Sequence, residues 1–455
     1  MGNSFHSLRL DDSHSLYLLG KKSFSSPLFK RYRTLMETCA NLGEFLSFET
    51  SPEWLSCYER DAQILHAKLP LLVFRPHAIA NIASFLQACH QMDLSVTTRC
   101  GGTGLSGSCV PGAEGVILLT GHLKQIREYD AERGTACLEP GVTVRQLNRH
   151  VESDHWFFPL SMATEGIAGI AGCISCHARG YHQQQQAIFD AIESVILIDG
   201  QGVTLEVPSP LVCGSEGLWG VVVEVRVHLK RKPPQYKDFI YQGSWQAVLE
   251  QLPLLRSLHS LSFVICSGGK FYLGLEGEAW RLSDSAAYLT RCLPGIDPLI
   301  MPSRQFSKSF LPSRKLFAVL SSVFNPLQLP EACQWSLAEA KLLQLECLQQ
   351  ADVLAGSLHL IIQSEESSYL FAEKMEQFFV LWTDFVDRQQ GILASCHGVG
   401  MQMRPYMTPF WTEETRQLWR KMQAEYDPKG LFCKERFYPF PGKSLEKVRQ
   451  AGQSK

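Results

Sequence analysis

The sequence has almost no net charge and no hydrophobic run long enough to cross a membrane. Its 43 Lys and Arg residues nearly balance its 45 Asp and Glu residues, which gives a formal net charge of -2. This balance excludes a general electrostatic attraction for nucleic acid. No apolar stretch reaches the roughly 18 residues of a membrane helix, and the N-terminus lacks the apolar core of a signal peptide. We therefore expect a cytoplasmic protein, with peripheral membrane association as the alternative.

Charged residues are also too few for a disordered chain. They make up 19% of the sequence, against 45% for hydrophobic residues, which is typical of a globular protein with a full core. The 455 residues allow two or three domains. The fifteen cysteines are an odd number scattered along the chain, so we expect reduced thiols rather than a disulfide framework.

The spacing of apolar residues predicts an α+β protein whose two main parts join at a basic, proline-rich segment, residues 230–234. Before it, Val223, Val225 and Val227 alternate with polar residues, as in a half-buried strand. After it we predict a hairpin over 261–275, helices over 329–348, 367–389 and 413–426, and strands over 358–362 and 391–395. We predict the domain boundaries as a helical N-terminal segment 1–60, a first domain 61–233, a second domain 235–395 and a C-terminal segment 396–455.

A glycine-rich loop between two predicted strands is the strongest local signal. It contains Gly101, Gly102, Gly104 and Gly107, and it satisfies G-x-G-x-x-G. A Rossmann loop opens directly into a helix, whereas residues 108–112 here lead into a strand, so we disfavour that fold. Glycines still allow the backbone to fold closely around a phosphate and to direct several N–H groups at it. The alternative is a glycine turn without a ligand.

Several segments in a fixed order resemble one family. The loop RCGGTGLSGSCVP (99–111) resembles the RGGGTGLSGGAVP loop of FAD-linked dehydrogenases of the vanillyl-alcohol oxidase type, in the branch of D-lactate and glycolate dehydrogenases. Further matching segments are LVFRP (72–76), LEPGVTVRQLN (138–148), GSEGLWGVVVEV (214–225), HGVGMQMRPY (397–406) and DPKGLF (427–432). The segment IAGCISCHARG (170–180) stands where the family has IGGMVATNAGG and matches it poorly.

The resemblance implies a PCMH-type FAD-binding domain of two subdomains over residues 61–233, a cap domain with an antiparallel sheet over 235–395, and a C-terminal segment that returns to the cofactor. It implies FAD bound without a covalent bond, because Thr103 stands in the loop where some relatives carry an attaching His. The residues expected to contact FAD are Arg99, Gly101, Gly102, Thr103, Gly104, Leu105, Ser106, Gly107, Pro111, Gly169, Gly172, Cys173, Cys176, His177, Ile188, Ile192, Gly214, Glu216, Gly217, Gly220 and Val221.

The segment Cys173-Ile-Ser-Cys176-His177 also satisfies the C-x-x-C-H pattern of haem c attachment. We disfavour a haem because attachment needs export, for which the N-terminus carries no signal. A redox dithiol is a further alternative. The interpretation that we favour is packing along the flavin.

In many members of the family a H-x-G-D-G-N-L-H segment and a later Glu-His-Gly supply two His ligands, a Glu ligand and a His base. Here the corresponding positions hold Asp352, His359, Cys396 and His397. The resemblance therefore implies His397 as the base and a zinc-type set of Asp352, His359 and Cys396. The interpretation that we favour is a decayed metal site, because only Gly356 remains of the Gly-Asp-Gly-Asn turn.

Three arginines are candidates for binding a substrate carboxylate, since a guanidinium matches a carboxylate with two hydrogen bonds. They are Arg304, Arg314 and Arg404. We favour Arg404, which follows His397 by seven positions.

The resemblance implies FAD-dependent oxidation of a small D-2-hydroxy acid, similar to lactate or glycolate, by hydride transfer to the flavin. Two alternatives stay open: a flavoenzyme similar to the alkylglycerone-phosphate synthases, which also carry an HGVG segment, and a non-catalytic flavin-binding homologue. The sequence does not specify the electron acceptor or the oligomeric state.

Overall fold

In the described part of the chain, the strands form three large sheets and one two-stranded ribbon. The computed structural model describes residues 27–63, 65–112, 115–180, 188–299, 312–394 and 396–432. The predicted α+β class is confirmed, because helices pack on sheets that are mostly antiparallel. In this part of the chain no helix has both the length and the apolar character needed to span a membrane.

The first sheet has the strand order β1-β2-β4-β3. Its strands are β1 (Gly43–Ser47), β2 (Leu72–Pro76), β3 (Val96–Arg99) and β4 (Val116–Leu119), and the helices beside it are α1 (Pro27–Thr38), α2 (Pro52–Leu55) and α3 (Ala80–Gln91). The pairs β2–β4 and β3–β4 are parallel, whereas β1 is antiparallel to β2. The glycine-rich loop therefore leaves the sheet at the end of β3.

The described part of the predicted helical segment 1–60 contains a strand as well as helices. Helix α1 is present, but β1 pairs along its whole length with β2 and so belongs to the first sheet. The helix buries Phe29, Tyr32 and Leu35 in the same core as Phe74 and Phe85. Strand β1 escaped prediction because five residues with mixed burial give no clear alternation.

The second sheet is antiparallel, with the order β5-β6-β10-β8-β9. Its strands are β5 (Ile126–Asp130), β6 (Thr135–Leu138), β8 (Ile192–Ile198), β9 (Thr204–Val207) and β10 (Val221–His228). The ribbon consists of β7 (Trp156–Phe157) and β11 (Lys230–Arg231), and the helices here are α4 (Val144–Val151), α5 (Ile170–Ser175) and α6 (Ser209–Val212). The predicted alternation in β10 is confirmed, because Val223, Val225 and Val227 are buried.

The third sheet is antiparallel and has seven strands in the order β15-β12-β14-β13-β17-β18-β16. The strands are β12 (Gln235–Tyr241), β13 (Leu261–Ser267), β14 (Lys270–Gly277), β15 (Asp297–Leu299), β16 (Leu316–Val323), β17 (Glu346–Asp352) and β18 (Ser357–Ser364). The helices that follow or connect them are α7 (Trp245–Glu250), α8 (Leu252–Ser257), α9 (Ala279–Cys292), α10 (Leu329–Leu342) and α11 (Ser368–Arg388). We call this sheet the cap sheet.

The two faces of the cap sheet have different roles. Side chains such as Leu320, Leu360 and Ile362 join the helices in the largest hydrophobic core. Because side chains alternate along a strand, the intervening residues, such as Val319 and Ile361, face the opposite side, where they line a cavity.

Two element predictions in this region need correction. The helix predicted over 329–348 ends at Leu342, because Gln344 adopts a left-handed φ of 56° and the chain then enters β17. The strand predicted over 391–395 is reduced to a single bridge between Ile392 and Val323, and Ser395 lies outside the described residues.

The C-terminal segment packs back onto the first two sheets. It contains α12 (Gly400–Met403) and α13 (Glu413–Tyr426). The amide of Val96 in β3 donates to the carbonyl of Leu431 at 2.8 Å, and the Asp427 carboxylate accepts from the amides of Leu431 and Phe432 at 2.7 and 2.9 Å. The end of the described chain is therefore anchored beside the strand that leads into the glycine-rich loop.

We expect Trp382→Ala to lower the free energy of unfolding by about 3–5 kcal/mol. Trp382 is fully buried in α11, and its Nε1–H donates to the Ser322 hydroxyl at 3.1 Å. The control Trp280→Ala, at a residue that is 62% exposed, should change it by less than about 0.5 kcal/mol. Urea unfolding followed by circular dichroism measures both. Equal effects of the two changes would contradict the assignment of this core.

Candidate functional site

A cavity of about 440 Å³ lies where the three sheets and the C-terminal segment meet. Thr98 of β3, Val222 of β10 and Ile265 of β13 each contribute to its wall. The residues 101–105 of the glycine-rich loop line one side, and His397 of the C-terminal segment lines another. We call this the central cavity.

The glycine-rich loop requires its glycines for close packing. A Cβ on Gly101 would lie 2.3 Å from the carbonyl oxygen of Ile167, and a Cβ on Gly102 would lie 2.4 Å from the Arg99 guanidinium. Gly102 and Gly107 also have left-handed φ angles of 63° and 82°. The backbone therefore reaches a position that residues with side chains rarely adopt.

The loop presents unengaged donors to the central cavity. Within the described part of the chain, no acceptor engages the amides of Gly102, Thr103, Gly104 or Leu105. The hydroxyl of Thr98 is also buried there without a hydrogen-bond partner among these residues. Buried polar groups are normally hydrogen-bonded. A diphosphate, with its ring of acceptor oxygens, fits this set of donors.

Asp61, which the sequence interpretation missed, hydrogen-bonds to the backbone of the glycine-rich loop. Its carboxylate accepts from the amide of Gly107 at 3.0 Å and from the amide of Gln63 at 3.3 Å. The neighbouring Ala62 amide donates to the carbonyl of Gly104 at 2.9 Å. Burial raises the pKa of Asp61 to about 6. The Gly107 amide is therefore directed at Asp61 rather than at the cavity.

The predicted cofactor contacts separate into those that line the central cavity and those that do not. The lining set is Gly101, Gly102, Thr103, Gly104, Leu105, Gly169, Gly172, Cys173, Cys176, Glu216, Gly217 and Gly220. The predicted contacts that are not among the lining residues are Arg99, Ser106, Gly107, Pro111, His177, Ile188, Ile192, Gly214 and Val221.

Several predicted contacts that do not line the cavity instead pack in a hydrophobic core or hydrogen-bond to the backbone. Ile188 and Ile192 belong to the hydrophobic core of the second sheet, and Val221 belongs to that of the first. Arg99 donates from Nη1 to the carbonyl of Arg60 at 2.6 Å, beneath the loop. The side chains of Ile188, Ile192 and Val221 are thus buried in these cores, and their contact with FAD stays a prediction.

Glu216 joins three segments at the edge of the cavity. Its carboxylate accepts from the amides of Val399 and Gly400, the latter at 2.9 Å, and from the Ser108 hydroxyl at 2.9 Å. Its own amide donates to the carbonyl of Ser175 in α5 at 2.8 Å. Glu216 therefore connects the glycine-rich loop, α5 and the segment that carries His397.

Two histidines, His359 and His397, lie close to Cys396 on the side of the cavity formed by the cap sheet. The possible ligand atoms of His359, Cys396 and His397 all lie within 4.8 Å of one another. The Cys396 sulfur is 3.6 Å from Nδ1 of His359, and Ser357 lies 3.5 Å from Nε2 of the same ring. The Cys396 amide donates to the Ser321 hydroxyl at 3.2 Å. Imidazole and thiolate groups at these separations can hold a zinc-type ion.

The charges in this cluster are coupled. Burial alone would raise the pKa of the Cys396 thiol, but His397 and His359 outweigh it and hold that pKa well below its ordinary value. Burial opposes the protonation of His359, yet the adjacent Cys396 raises the pKa of that imidazole above its usual range. The cluster therefore favours a thiolate beside an imidazolium.

Asp352 is close to this cluster but is not part of it, which changes the predicted metal set. It lines the central cavity, and its Oδ1 accepts from the amides of Leu354 and Ala355 at 2.9 and 3.0 Å. Burial raises the pKa of its carboxyl group. In the described residues His397, rather than Asp352, completes the group with His359 and Cys396.

Arg404 does not line the central cavity. It lines a second cavity of about 320 Å³, together with Trp411 and Trp419. Arg314 forms exposed ion pairs with Glu346 and Glu365, and Arg304 lies outside the described residues. The short helix α12 begins at Gly400, between His397 and Arg404, and separates the two residues along the chain.

Arg179, a second residue that sequence reasoning missed, brings a positive charge to the central cavity. It lines the cavity wall, and its Nε is buried without a hydrogen-bond partner among the described residues. Its charge acts on both Asp352 and His359. One signal was present, because Arg179 in CISCHARG stands where the family segment VATNAGG has a glycine.

The C-x-x-C-H segment belongs to the same wall. Cys173 lies in α5 and Cys176 directly follows it, and both line the central cavity. Burial raises the pKa of Cys173 to about 12 and raises that of Cys176 well above its ordinary value. These thiols are therefore protonated packing groups near neutral pH.

Two family models match this chain. The FAD binding domain matches residues 70–208, and the C-terminal domain of FAD linked oxidases matches residues 319–434. Fold and site together define a protein with a flavin-dinucleotide domain and a cap. The chain therefore carries an FAD binding domain followed by the C-terminal domain of FAD linked oxidases.

Relatives of known name are similar at moderate or low identity. The glycolate oxidase subunit GlcD of Escherichia coli K12 is 30% identical over 189 residues, which is 39% of this chain and 38% of that protein. The mitochondrial D-2-hydroxyglutarate dehydrogenase of Danio rerio is 23% identical over 439 residues, covering 83% of this chain and 79% of that protein. The match to GlcD therefore spans well under half of the relative's length.

Solved structures share the fold. A p-cresol methylhydroxylase with bound substrate superposes with a TM-score of 0.73 at 13% identity, over 90% of this chain and 96% of that one. An alkyldihydroxyacetonephosphate synthase superposes with a TM-score of 0.65 at 14% identity, over 88% and 90% of the two chains. At these identities the likeness establishes the PCMH-type fold alone.

We expect Asp61→Asn to weaken FAD binding about tenfold, because an amide replaces the ionised acceptor that orders the loop. The substitution keeps the shape of the side chain. Titration of FAD-free protein, followed by flavin fluorescence, gives the dissociation constants. Asp297→Asn, at an exposed residue of β15, is the matched control and should leave binding unchanged. Unaltered binding in Asp61→Asn would exclude this supporting role.

We expect Cys396 to react with iodoacetamide at about pH 6, below the ordinary pKa of a thiol. The two histidines keep part of Cys396 in the thiolate form as the pH falls, whereas Cys173 and Cys176 stay protonated. Peptide mass spectrometry of chelator-treated protein measures the labelling, with the exposed Cys57 as reference. In the His359→Gln variant, the labelling of Cys396 at this pH should fall, because one of the two histidines that lower the pKa of its thiol is removed. Preferential labelling of Cys173 would refute the assignment.

Proposed function

We propose that this chain is an FAD-dependent oxidoreductase that oxidises a small D-2-hydroxy acid by hydride transfer to the flavin. One observation carries the proposal: the unengaged amides of the glycine-rich loop, the His397 imidazole and the Arg179 guanidinium line a single cavity. The relatives named glycolate oxidase subunit and D-2-hydroxyglutarate dehydrogenase support the same reaction class.

FAD, when bound, supplies the acceptor for the hydride. The amides of residues 102–105 would hold its diphosphate. The hydroxyl of Thr98, near the end of β3, would donate a hydrogen bond to the dinucleotide. Gly169 and Gly172 of the α5 segment leave room along the same wall. The chain keeps no His in the glycine-rich loop, so the binding is non-covalent.

His397 would take the proton of the substrate hydroxyl. Its ring lies 5.6 Å from the ring of His359, centroid to centroid, and it borders the central cavity. The amides of Val399 and Gly400, bound to Glu216, fix the backbone that follows it. An imidazole whose backbone is held in this way is positioned to act as a general base toward a substrate in the cavity.

Arg179 would bind the substrate carboxylate. A guanidinium with a buried, unengaged Nε pairs best with a planar anion that accepts two hydrogen bonds. Placing the carboxylate there leaves the hydroxyl of a 2-hydroxy acid within the space bordered by His397. Arg404 has no such position, because it lines the second cavity.

A zinc-type ion would be held by His359, Cys396 and His397, and it would supply a Lewis acid. A ring nitrogen that binds an ion has no lone pair left to accept the substrate proton. The base role of His397 therefore belongs to the metal-free cluster. Metal analysis of the purified protein distinguishes the two states.

We expect His397→Gln to slow flavin reduction by at least about a hundredfold, which is the usual contribution of a general base. The variant should still bind FAD, because His397 lies on the cap side of the cavity. Anaerobic mixing of the FAD-loaded protein with D-lactate, followed by bleaching of the visible flavin band, measures the rate. His228→Gln, at an exposed position of β10, serves as the control.

Two results would count against the proposal in different ways. Equal bleaching by His397→Gln and the unaltered protein would remove the base assignment alone. Stable FAD binding without bleaching by any D-2-hydroxy acid would favour the non-catalytic flavin-binding alternative.

A further inference from the structure

The cap sheet presents an apolar surface to the central cavity beside His359. Phe317 and Val319 alternate along β16, and Ile361 follows His359 by two positions on β18. Val319 is paired directly with Ile361, and Ile265 of β13 lies on the same wall. Phe317, Val319 and Ile361 are therefore neighbours on this face of the cap sheet, and we define these three residues as the apolar patch, whereas Ile265 lies apart from them beside Asp352.

The positive charge in this cavity is limited. Among the described residues that line it, Arg179 is the one arginine or lysine. The other ionisable groups on the cap wall are the histidine–cysteine cluster and Asp352, whose carboxyl is buried. A single guanidinium is sufficient for one carboxylate, and a second carboxylate would face Asp352 and the apolar patch.

Gln350 supplies a donor beside this charge. It lies in β17 directly opposite His359, is only 4% exposed, and lines the central cavity. Its Nε2 has no hydrogen-bond partner among the described residues. A buried amide donor that is left unpaired costs stability, so its presence in a cavity wall points to a ligand with an acceptor oxygen.

We propose that the site selects 2-hydroxy monocarboxylates with an apolar side chain and rejects hydroxy dicarboxylates. Arg179 and the Nε2 of Gln350 bind the single carboxylate, and the apolar patch receives the side chain. This inference rests on the proposed function, because it describes the substrate of the same reaction. It differs from what the names of the relatives suggest, since glycolate has no side chain and 2-hydroxyglutarate carries a second carboxylate.

The reason for the preference is the difference in transfer free energy between the two kinds of side chain. Each methylene buried against apolar side chains increases the efficiency of reaction about fourfold. A carboxylate buried against the same surface without a partner loses its hydration and gains no compensating hydrogen bond. Selectivity therefore follows from the apolar patch and from the lack of a second arginine or lysine among the described residues that line the cavity.

The test compares D-2-hydroxy acids as reductants of the FAD-loaded protein. Under anaerobic conditions, the second-order rate of flavin bleaching is measured with glycolate, D-lactate, D-2-hydroxyisocaproate and D-2-hydroxyglutarate. We expect D-2-hydroxyisocaproate to exceed D-lactate by at least about tenfold and D-2-hydroxyglutarate by at least about a hundredfold. An equal or faster rate with D-2-hydroxyglutarate would overturn the inference.

Two variants test the residues that carry the inference. Phe317→Lys introduces a cation into the patch at a half-buried position and should shift the preference toward D-2-hydroxyglutarate by at least about tenfold. Leu254→Lys, which is 45% exposed on α8, controls for the added lysine and should keep the original order. Arg179→Met should lower the rates with all four acids about a hundredfold, while Arg133→Met at an exposed turn should not. A shift in Leu254→Lys equal to that in Phe317→Lys would count against the patch.

A binding measurement separates this inference from the proposed function. Perturbation of the flavin spectrum by the unreactive anions 4-methylpentanoate and glutarate gives their dissociation constants without turnover. If none of the hydroxy acids reduces the flavin, the proposed function fails. The dissociation constants of the two unreactive anions then still test whether the site prefers an apolar side chain to a second carboxylate. Tighter binding of 4-methylpentanoate supports the inference, and equal or tighter binding of glutarate refutes it.

Discussion

The arrangement of the site depends on one carboxylate, that of Glu216. It accepts hydrogen bonds from the amides of Val399 and Gly400, which lie 183 and 184 residues further along the chain, and from the hydroxyl of Ser108. A hydrogen bond to a charged group contributes about 1.5–3 kcal/mol, and a charge left unpaired in the interior costs more than that. If the segment that carries His397 moved away from the glycine-rich loop, this carboxylate would lose both of its backbone donors from that segment. The walls of the central cavity are therefore coupled to one another.

The close contact between the C-terminal segment and the glycine-rich loop explains why glycines follow His397. Gly398 and Gly400 have left-handed φ angles of 77° and 51°, and a Cβ on Gly400 would lie 2.2 Å from the carbonyl oxygen of Ser106. The amide of Gln402 donates to that carbonyl at 3.0 Å. The C-terminal segment thus touches the glycine-rich loop backbone to backbone. The H-G-V-G sequence is a requirement of this close approach, and it leaves the His397 side chain on the cavity side.

Features encoded by local sequence were predictable, whereas features created by distant contacts were not. The glycine-rich loop follows from its composition, and the half-buried strand β10 follows from alternating valines. Arg179 and Gln350 are single polar residues in ordinary segments, and only the fold brings them into one cavity. Asp61 is likewise recognisable only from its hydrogen bond to Gly107, 46 residues away. Arg404 was expected near His397 because of its spacing, and helix α12 carries it to another cavity instead.

Cys396 stands where the family has a glutamate. The change replaces an oxygen ligand atom by sulfur but favours the same sign of charge. A thiol between two imidazoles, with its pKa held well below the ordinary value, carries the same negative charge as a carboxylate. Ser321 and Ser357 still hydrogen-bond to Cys396 and His359. A cluster of buried polar groups costs desolvation free energy, and apolar residues of similar size would avoid that cost. Hydroxyl groups contact the cluster at both Cys396 and His359, and these contacts offset part of that cost by fixing the positions of the two residues.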